Sequence, residues 1–204
     1  MIDLKHLEFF EATHSYFWKG RKLVGANEVC ERTGLSDFSK VKWETLEAAK
    51  TLGEYVHGMA MLYAKNNLKE TTIDLRLKGY LLGIKKFFKE NVKKVIAVER
   101  PICDPYLGYA GTPDIIYLNF KSRICLDDFK TPDQSHPAWP LITSAYKNAW
   151  DKCFPKQRIW ERASVKLSVN GEVDREPHKN AQDFDNFLAA LRVAQFKISY
   201  NINT

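Results

Sequence analysis

Residues 111–131, GTPDIIYLNFKSRICLDDFKT, read as two apolar strand segments joined around Lys121-Ser122. Side chains alternate faces along a strand, so Asp114, Ile116 and Leu118 share one face while Ile115 and Tyr117 share the other. The same rule groups Ile124, Leu126, Asp128 and Lys130 against Cys125, Asp127 and Phe129. Of the two adjacent aspartates, only Asp128 lies on the lysine's face. Paired as a hairpin, strands of about 109–120 and 123–130 bring Asp114 and Asp128 to the same end of the ladder.

Two carboxylates side by side repel and raise one another's pKa unless a cation sits between them. A divalent metal removes that objection, because Mg²⁺ sites use one or two carboxylates together with water and substrate phosphate. Lys130 then stands where it can hold or activate water, or offset charge on a phosphorane-like transition state. The competing reading is a solvated ion pair between Lys130 and Asp128 at the strand ends. Spacing alone leaves both open.

The 204 residues are 45% hydrophobic and 27% charged, ordinary for a globular protein. A chain of this length covers about 70% of its unfolded surface on folding, so it needs no metal or disulfide for stability. One domain over 1–204 is expected, with an N-terminal hairpin and helices in 1–92, a sheet core in 93–170 and a C-terminal helix in 171–204. The cysteines at 30, 103, 125 and 153 have no pair closer than 22 residues, which argues against a CxxC zinc site and for scattered buried thiols. The segment MIDLKHLEFFEATHSYF is charged from its third residue and has no apolar run of signal or membrane-span length. A cytoplasmic protein without membrane association is the expectation. Lys and Arg outnumber Asp and Glu by 31 to 25, a formal charge of +6 that is compatible with a polyanionic partner.

Aromatic and branched residues around Lys19-Gly20 predict a hairpin over 14–24. Leu52, Val56, Met59, Ala60 and Tyr63 predict a helix from Lys40 to Asn66. A second helix over 74–91 carries Leu77, Leu81, Ile84, Phe87 and Phe88 on one side and Lys78, Lys85, Lys86 and Lys89 elsewhere. Lys85, Lys86, Lys89, Lys93 and Lys94, interleaved with Phe87 and Phe88, either guide phosphates or form the solvated side of an amphipathic helix. KVIAVER at 94–100 and the segment 157–169 read as strands, 136–150 as a helix after its prolines, and 179–201 as a helix with Phe184, Phe187, Leu188, Leu191 and Phe196 inward. Helices, then paired strands, then helices predict an α/β (α+β) fold: a central mixed sheet with the carboxylate hairpin, flanked by helices. No base-reading motif is present.

Gly111 to Asp114 followed by Asp128-Phe129-Lys130-Thr131 resembles the PD-(D/E)XK nuclease superfamily, whose metal site is a strand aspartate followed by an acidic-x-lysine triplet on the next strand. Gly53-Glu54-Tyr55-Val56-His57 resembles the helical glycine-x-x-x-histidine motif of its RecB-type branch, which includes phage recombination exonucleases. THSYFWKGRKLVGANEVCERTGL is similar to the N-terminal part of phage-encoded members. The resemblance covers about residues 10–150 and implies a restriction-endonuclease-like core. It further implies Mg²⁺ or Mn²⁺ held by His57, Asp114, Asp128 and the Phe129 backbone carbonyl, with Asp114, Asp128 and Lys130 as catalytic residues. An imidazole ligand suits Mn²⁺ better than Mg²⁺. Glu99 stands where members often carry a glutamate that reaches the metal or its water. Gly53 and His57 are i, i+4 neighbours, so the missing side chain leaves room for another element near the imidazole. The bland alternatives are a core histidine at 57 and a solvated strand-end charge at 99.

The branch usually has glutamine-x-x-x-tyrosine on the following helix. Tyr146 matches, implying a DNA contact or else a core aromatic, whereas Ile142 stands where the glutamine is expected. Members with an iron–sulfur cluster carry several cysteines after this helix; Cys153 is alone there, so no cluster is expected. The resemblance implies DNA as partner, exonuclease action from duplex ends and 5′-phosphate products, and is compatible with homo-oligomers and a phage recombination partner protein. A structure-selective or site-specific endonuclease uses the same residues. A non-catalytic DNA-binding module on this fold would normally have lost a ligand or the lysine, and this chain retains all three.

Overall fold

The computed structural model describes residues 1–202 apart from Phe38, Lys40 and Asp133. In chain order the elements are β1 (Leu7–Phe10), β2 (Ser15–Trp18), β3 (Arg21–Gly25), α1 (Ala26–Arg32), α2 (Trp43–Ala64), α3 (Lys78–Asn91), β4 (Lys94–Val98), β5 (Ile102–Asp104), β6 (Tyr109–Gly111), β7 (Ile115–Leu118), β8 (Ile124–Lys130), α4 (Ala138–Cys153), β9 (Glu161–Leu167), β10 (Val173–Pro177) and α5 (Asp183–Ser199). They make an α/β protein with two five-stranded sheets, ordered β1-β2-β3-β6-β5 and β10-β9-β8-β7-β4. Each sheet is mixed through one parallel pair, β3 with β6 and β8 with β9.

The α/β class holds, but the strands divide between two sheets because the run expected as one strand over 109–120 breaks at Thr112-Pro113-Asp114. Proline has no N–H to give a ladder, and the chain leaves β6 in the first sheet to enter β7 in the second. Both expected hairpin turns form. Lys19 and Gly20 have φ of 49° and 76°, and Ser122 has φ of 57°. The β7–β8 turn is tied by Asn119, whose Oδ1 accepts the N–H groups of Lys121 and Arg123, each at 2.9 Å.

The second sheet is covered on both faces, as the alternation requires. Ile116 and Leu126 pack with Ala138, Ile142, Ala145 and Tyr146 of α4. Ile115, Tyr117, Cys125 and Phe129 pack with Val56 and Met59 of α2 and Ile84 and Phe87 of α3. Helix α4 also contacts β5 and β6, so it bridges the two sheets.

Other boundaries shift for local reasons. The predicted helix start at Lys40 lies outside the described residues, and α2 begins at Trp43. Strand β10, DREP after Val173, escapes a pattern search because it is a charged edge strand, where proline is tolerated. Phe196, expected inward on α5, is 56% exposed and packs on Tyr200 at 4.7 Å between ring centroids. All four cysteines are free, buried thiols. Among the described residues no helix is long and apolar enough to cross a membrane.

Candidate functional site

The site grows from the place where the β7–β8 ladder stops. Its last regular pair is Ile115 opposite Asp127, so Asp114 and Asp128 come next on the two strands. With the neighbouring position 113 a proline, Asp114 takes over the ladder with its side chain: Oδ2 accepts the Phe129 N–H at 2.6 Å. Its backbone carbonyl accepts the Glu99 N–H at 3.0 Å. Asp114 is thereby pinned to both neighbouring strands, which fixes where its second carboxylate oxygen points.

That oxygen, Oδ1, lies 3.1 Å from Nδ1 of His57 on α2. Burial works to lower the imidazole pKa, but the Asp114 carboxylate outweighs it and the net shift is upward. Burial likewise works against ionised Asp114, and His57 with Lys130 more than offsets it, so its pKa is lowered. Each partner thus favours the charged form of the other.

Asp128 is 4% exposed, and its Oδ2 faces the Lys130 ammonium. The contact is a close ion pair, so the ammonium is the partner that Oδ2 meets in its buried position. Burial, reinforced by Asp114, raises the Asp128 pKa despite Lys130. Burial works to lower the Lys130 pKa, but Asp128 and Asp114 carry it upward, keeping the amine protonated. Lys130 also stands over the Trp139 ring, 5.6 Å from its centroid.

Glu99 leaves β4 with φ of 44° and lines a small cavity with His57, Asp114 and Phe129. Burial, then Asp114, raises its pKa. His57, Glu99, Asp114, Asp128 and Lys130 are thus brought to one end of the second sheet. The contact shown by the Phe129 backbone is through its N–H.

Two expectations need correction. Tyr146 is 4% exposed, with its ring lying where a Cβ on Gly111 would go. It is a buried wall behind the carboxylates, out of reach of DNA on the surface. Gly53 is not forced by a close approach, since a Cβ there would meet only Thr131 Oγ1 at 3.9 Å, an ordinary contact. Lys86 and Lys89 are exposed on the outer side of α3, and Lys85 pairs with Glu70 at 2.6 Å. These lysines form the solvated side of the helix whose inner face carries Ile84 and Phe87. Ile142, in place of the expected glutamine, is 5% exposed and belongs to the core between α4 and the sheets.

Other residues were missed. Asp127, fully buried on the opposite face, receives Arg175 through Nε at 2.7 Å and Nη2 at 2.9 Å and the Tyr117 hydroxyl at 2.8 Å. An acid inside an apolar alternation signals a buried cationic partner, and the DRE of 174–176 held it. Tyr16 reaches Thr112 Oγ1 at 2.9 Å and His14 at 3.0 Å, fixing the chain just before Asp114.

The donor types, two carboxylates and an imidazole, are ones that a divalent cation takes. Among the described residues no three His, Cys, Asp or Glu side chains stand in a metal-holding arrangement. The pairings explain why: His57 supplies the counter-charge to Asp114, and Lys130 supplies it to Asp128.

No protein-family model matches the chain, and no curated protein matches it. Among solved structures it is similar to the crystal structure of SSO0001, at 13% identity and a TM-score of 0.37, over 74% of this chain and 86% of that one.

Proposed function

We propose that this protein is a metal-dependent DNA nuclease of the PD-(D/E)XK type. The observation that supports the reading is that Asp128 pairs with Lys130 at one strand end, within electrostatic reach of an Asp114 held by His57 and the Phe129 N–H. Asp114, Asp128 and His57 hold Mg²⁺ or Mn²⁺, with Glu99 at the edge of the set. When bound, the ion supplies Lewis-acid neutralisation of the scissile phosphate. Lys130, kept protonated by its two acidic neighbours, orients the attacking water and faces the charge that develops on the phosphate oxygens. Trp139 stands beneath the Lys130 ammonium, and the Tyr146 ring packs on Gly111, just before Asp114 in the chain.

Exonuclease action from ends and 5′-phosphate products rest on the sequence resemblance. The test incubates linear, covalently closed circular and single-stranded DNA with Mg²⁺ or Mn²⁺ and with chelator, beside Asp114→Ala. Loss of linear DNA alone, dependent on metal and on Asp114, supports the exonuclease reading. Cutting of closed circles identifies an endonuclease instead, and activity that survives Asp114→Ala would falsify the site.

A further inference from the structure

A groove of about 1000 Å³ runs along the outer side of α4, the start of β9 and the segment after β10. Its walls carry six cationic side chains, Arg123, Lys147, Lys152, Arg158, Arg162 and Lys179, against two carboxylates, Asp151 and Glu161. Both carboxylates are shared. Asp151 faces Lys147 at 2.6 Å and Arg158 at 3.7 Å, and Glu161 faces Arg123 at 3.1 Å and Arg175 at 3.7 Å. Lys152 and Arg162 are paired to Asp104 and Asp183, behind the groove. Arg158 and Lys179 are exposed, and Lys179 makes no ion pair among the described residues. The surplus in the groove is positive and faces solvent.

Beside these charges stands Trp160, 67% exposed, with the Arg123 guanidinium 5.0 Å from its ring centroid. Its backbone N–H is fixed to the Ile124 carbonyl at 2.8 Å, so a large aromatic surface is displayed from a rigid mount. Cations that track phosphates and an open ring on which an unpaired base can stack are the combination that binds single strands without reading sequence. A part-buried contact also links the groove wall to the strand that carries Asp128. His178 on its wall contacts Ser164 at 2.9 Å, and Ser164 is the strand partner of Asp128.

We propose that this groove binds single-stranded nucleic acid, with backbone phosphates along Arg158 and Lys179 and a base stacked on Trp160, and delivers the strand to the Asp128 end of the second sheet. The delivery step rests on the nuclease reading; the binding step does not.

The test measures binding of fluorescent single-stranded dT and rU oligomers and of a duplex by the full chain in chelator, where metal-dependent cutting is off. Expected are tighter binding of single strands than duplex, a loss of roughly five-fold or more for Trp160→Ala, and a weaker salt dependence for Arg158→Ala and Lys179→Ala, by about 0.7 in log–log slope for each phosphate no longer neutralised. All three side chains are exposed, so thermal melts matching wild type establish that the variants fold. Single-strand binding unchanged by all three substitutions overturns the proposal, as does tighter binding of duplex. Groove-dependent binding without any metal-dependent cutting would sink the nuclease reading and leave the binding site standing; cutting without groove-dependent binding does the reverse.

Discussion

Oδ2 of Asp128 is buried in a close ion pair with the Lys130 ammonium. Removing the amine leaves an uncompensated carboxylate in the sheet, so Lys130→Ala is expected to cost about 3 kcal/mol in chelator. A divalent ion that binds the folded state restores stability, and it meets no competing ammonium in the variant. Thermal melts with and without Mn²⁺ should give a larger metal-induced rise in Tm for Lys130→Ala than for wild type. Equal rises would mean that the Lys130 ammonium does not compete with the ion at Asp128.

The adjacent aspartates separate structure from chemistry. Asp127 is fully buried and bridged to Arg175 and Tyr117 on the face away from Lys130. Asp127→Ala strands the guanidinium and is expected to destabilise by about 3–5 kcal/mol, while the folded fraction keeps its specific activity. Asp128→Ala should abolish activity at a smaller cost in stability. Urea melts paired with active-site titration check this, and the opposite pattern would show the two roles to be exchanged.

Two glycines of the motifs differ in what they protect. A methyl group at Gly111 overlaps the Tyr146 ring, so Gly111→Ala is expected to cost about 2 kcal/mol or more through overpacking. At Gly53 a methyl group meets only Thr131 Oγ1 at 3.9 Å, and alanine suits an α-helix better than glycine by up to about 1 kcal/mol. Gly53→Ala should therefore hold or raise the urea midpoint. Similar losses at both positions would contradict the packing described.

The His57–Asp114 pair makes stability depend on pH in metal-free protein. The imidazole pKa is raised, so its contribution is complete below the ordinary 6.5 and is lost as pH rises through the raised value. The Asp114 pKa is lowered, so its contribution is present above the ordinary 3.8 and is lost as pH falls through the lowered value. His57→Ala should thus depress Tm more at about pH 5.5 than at about pH 8.5. A depression independent of pH would mean that the pair is not charged.

Much of the site is legible in the sequence because the pleat obeys a strict period of two. Asp114, Asp128 and Lys130 fall on one face by counting, and the Lys121-Ser122 turn sets which ends meet. Long-range partners are not periodic, so no pattern in the sequence points to Arg175 against Asp127 or to Trp139 beneath Lys130. The division into two sheets hinges on a single proline, Pro113, within a run whose apolar content still reads as strand. Tyr146 stands out by its place in a motif, yet only packing against Gly111 reveals that it is buried.

On the proposed function, the carboxylates of Asp114 and Asp128 share one divalent ion. Calorimetric titration of Mn²⁺ into wild type, Asp114→Asn and Asp128→Asn measures it without reference to any DNA substrate. Saturable binding to wild type is expected, weakened about ten-fold or more by either substitution. Binding unchanged in both variants, or absent from wild type, would contradict it.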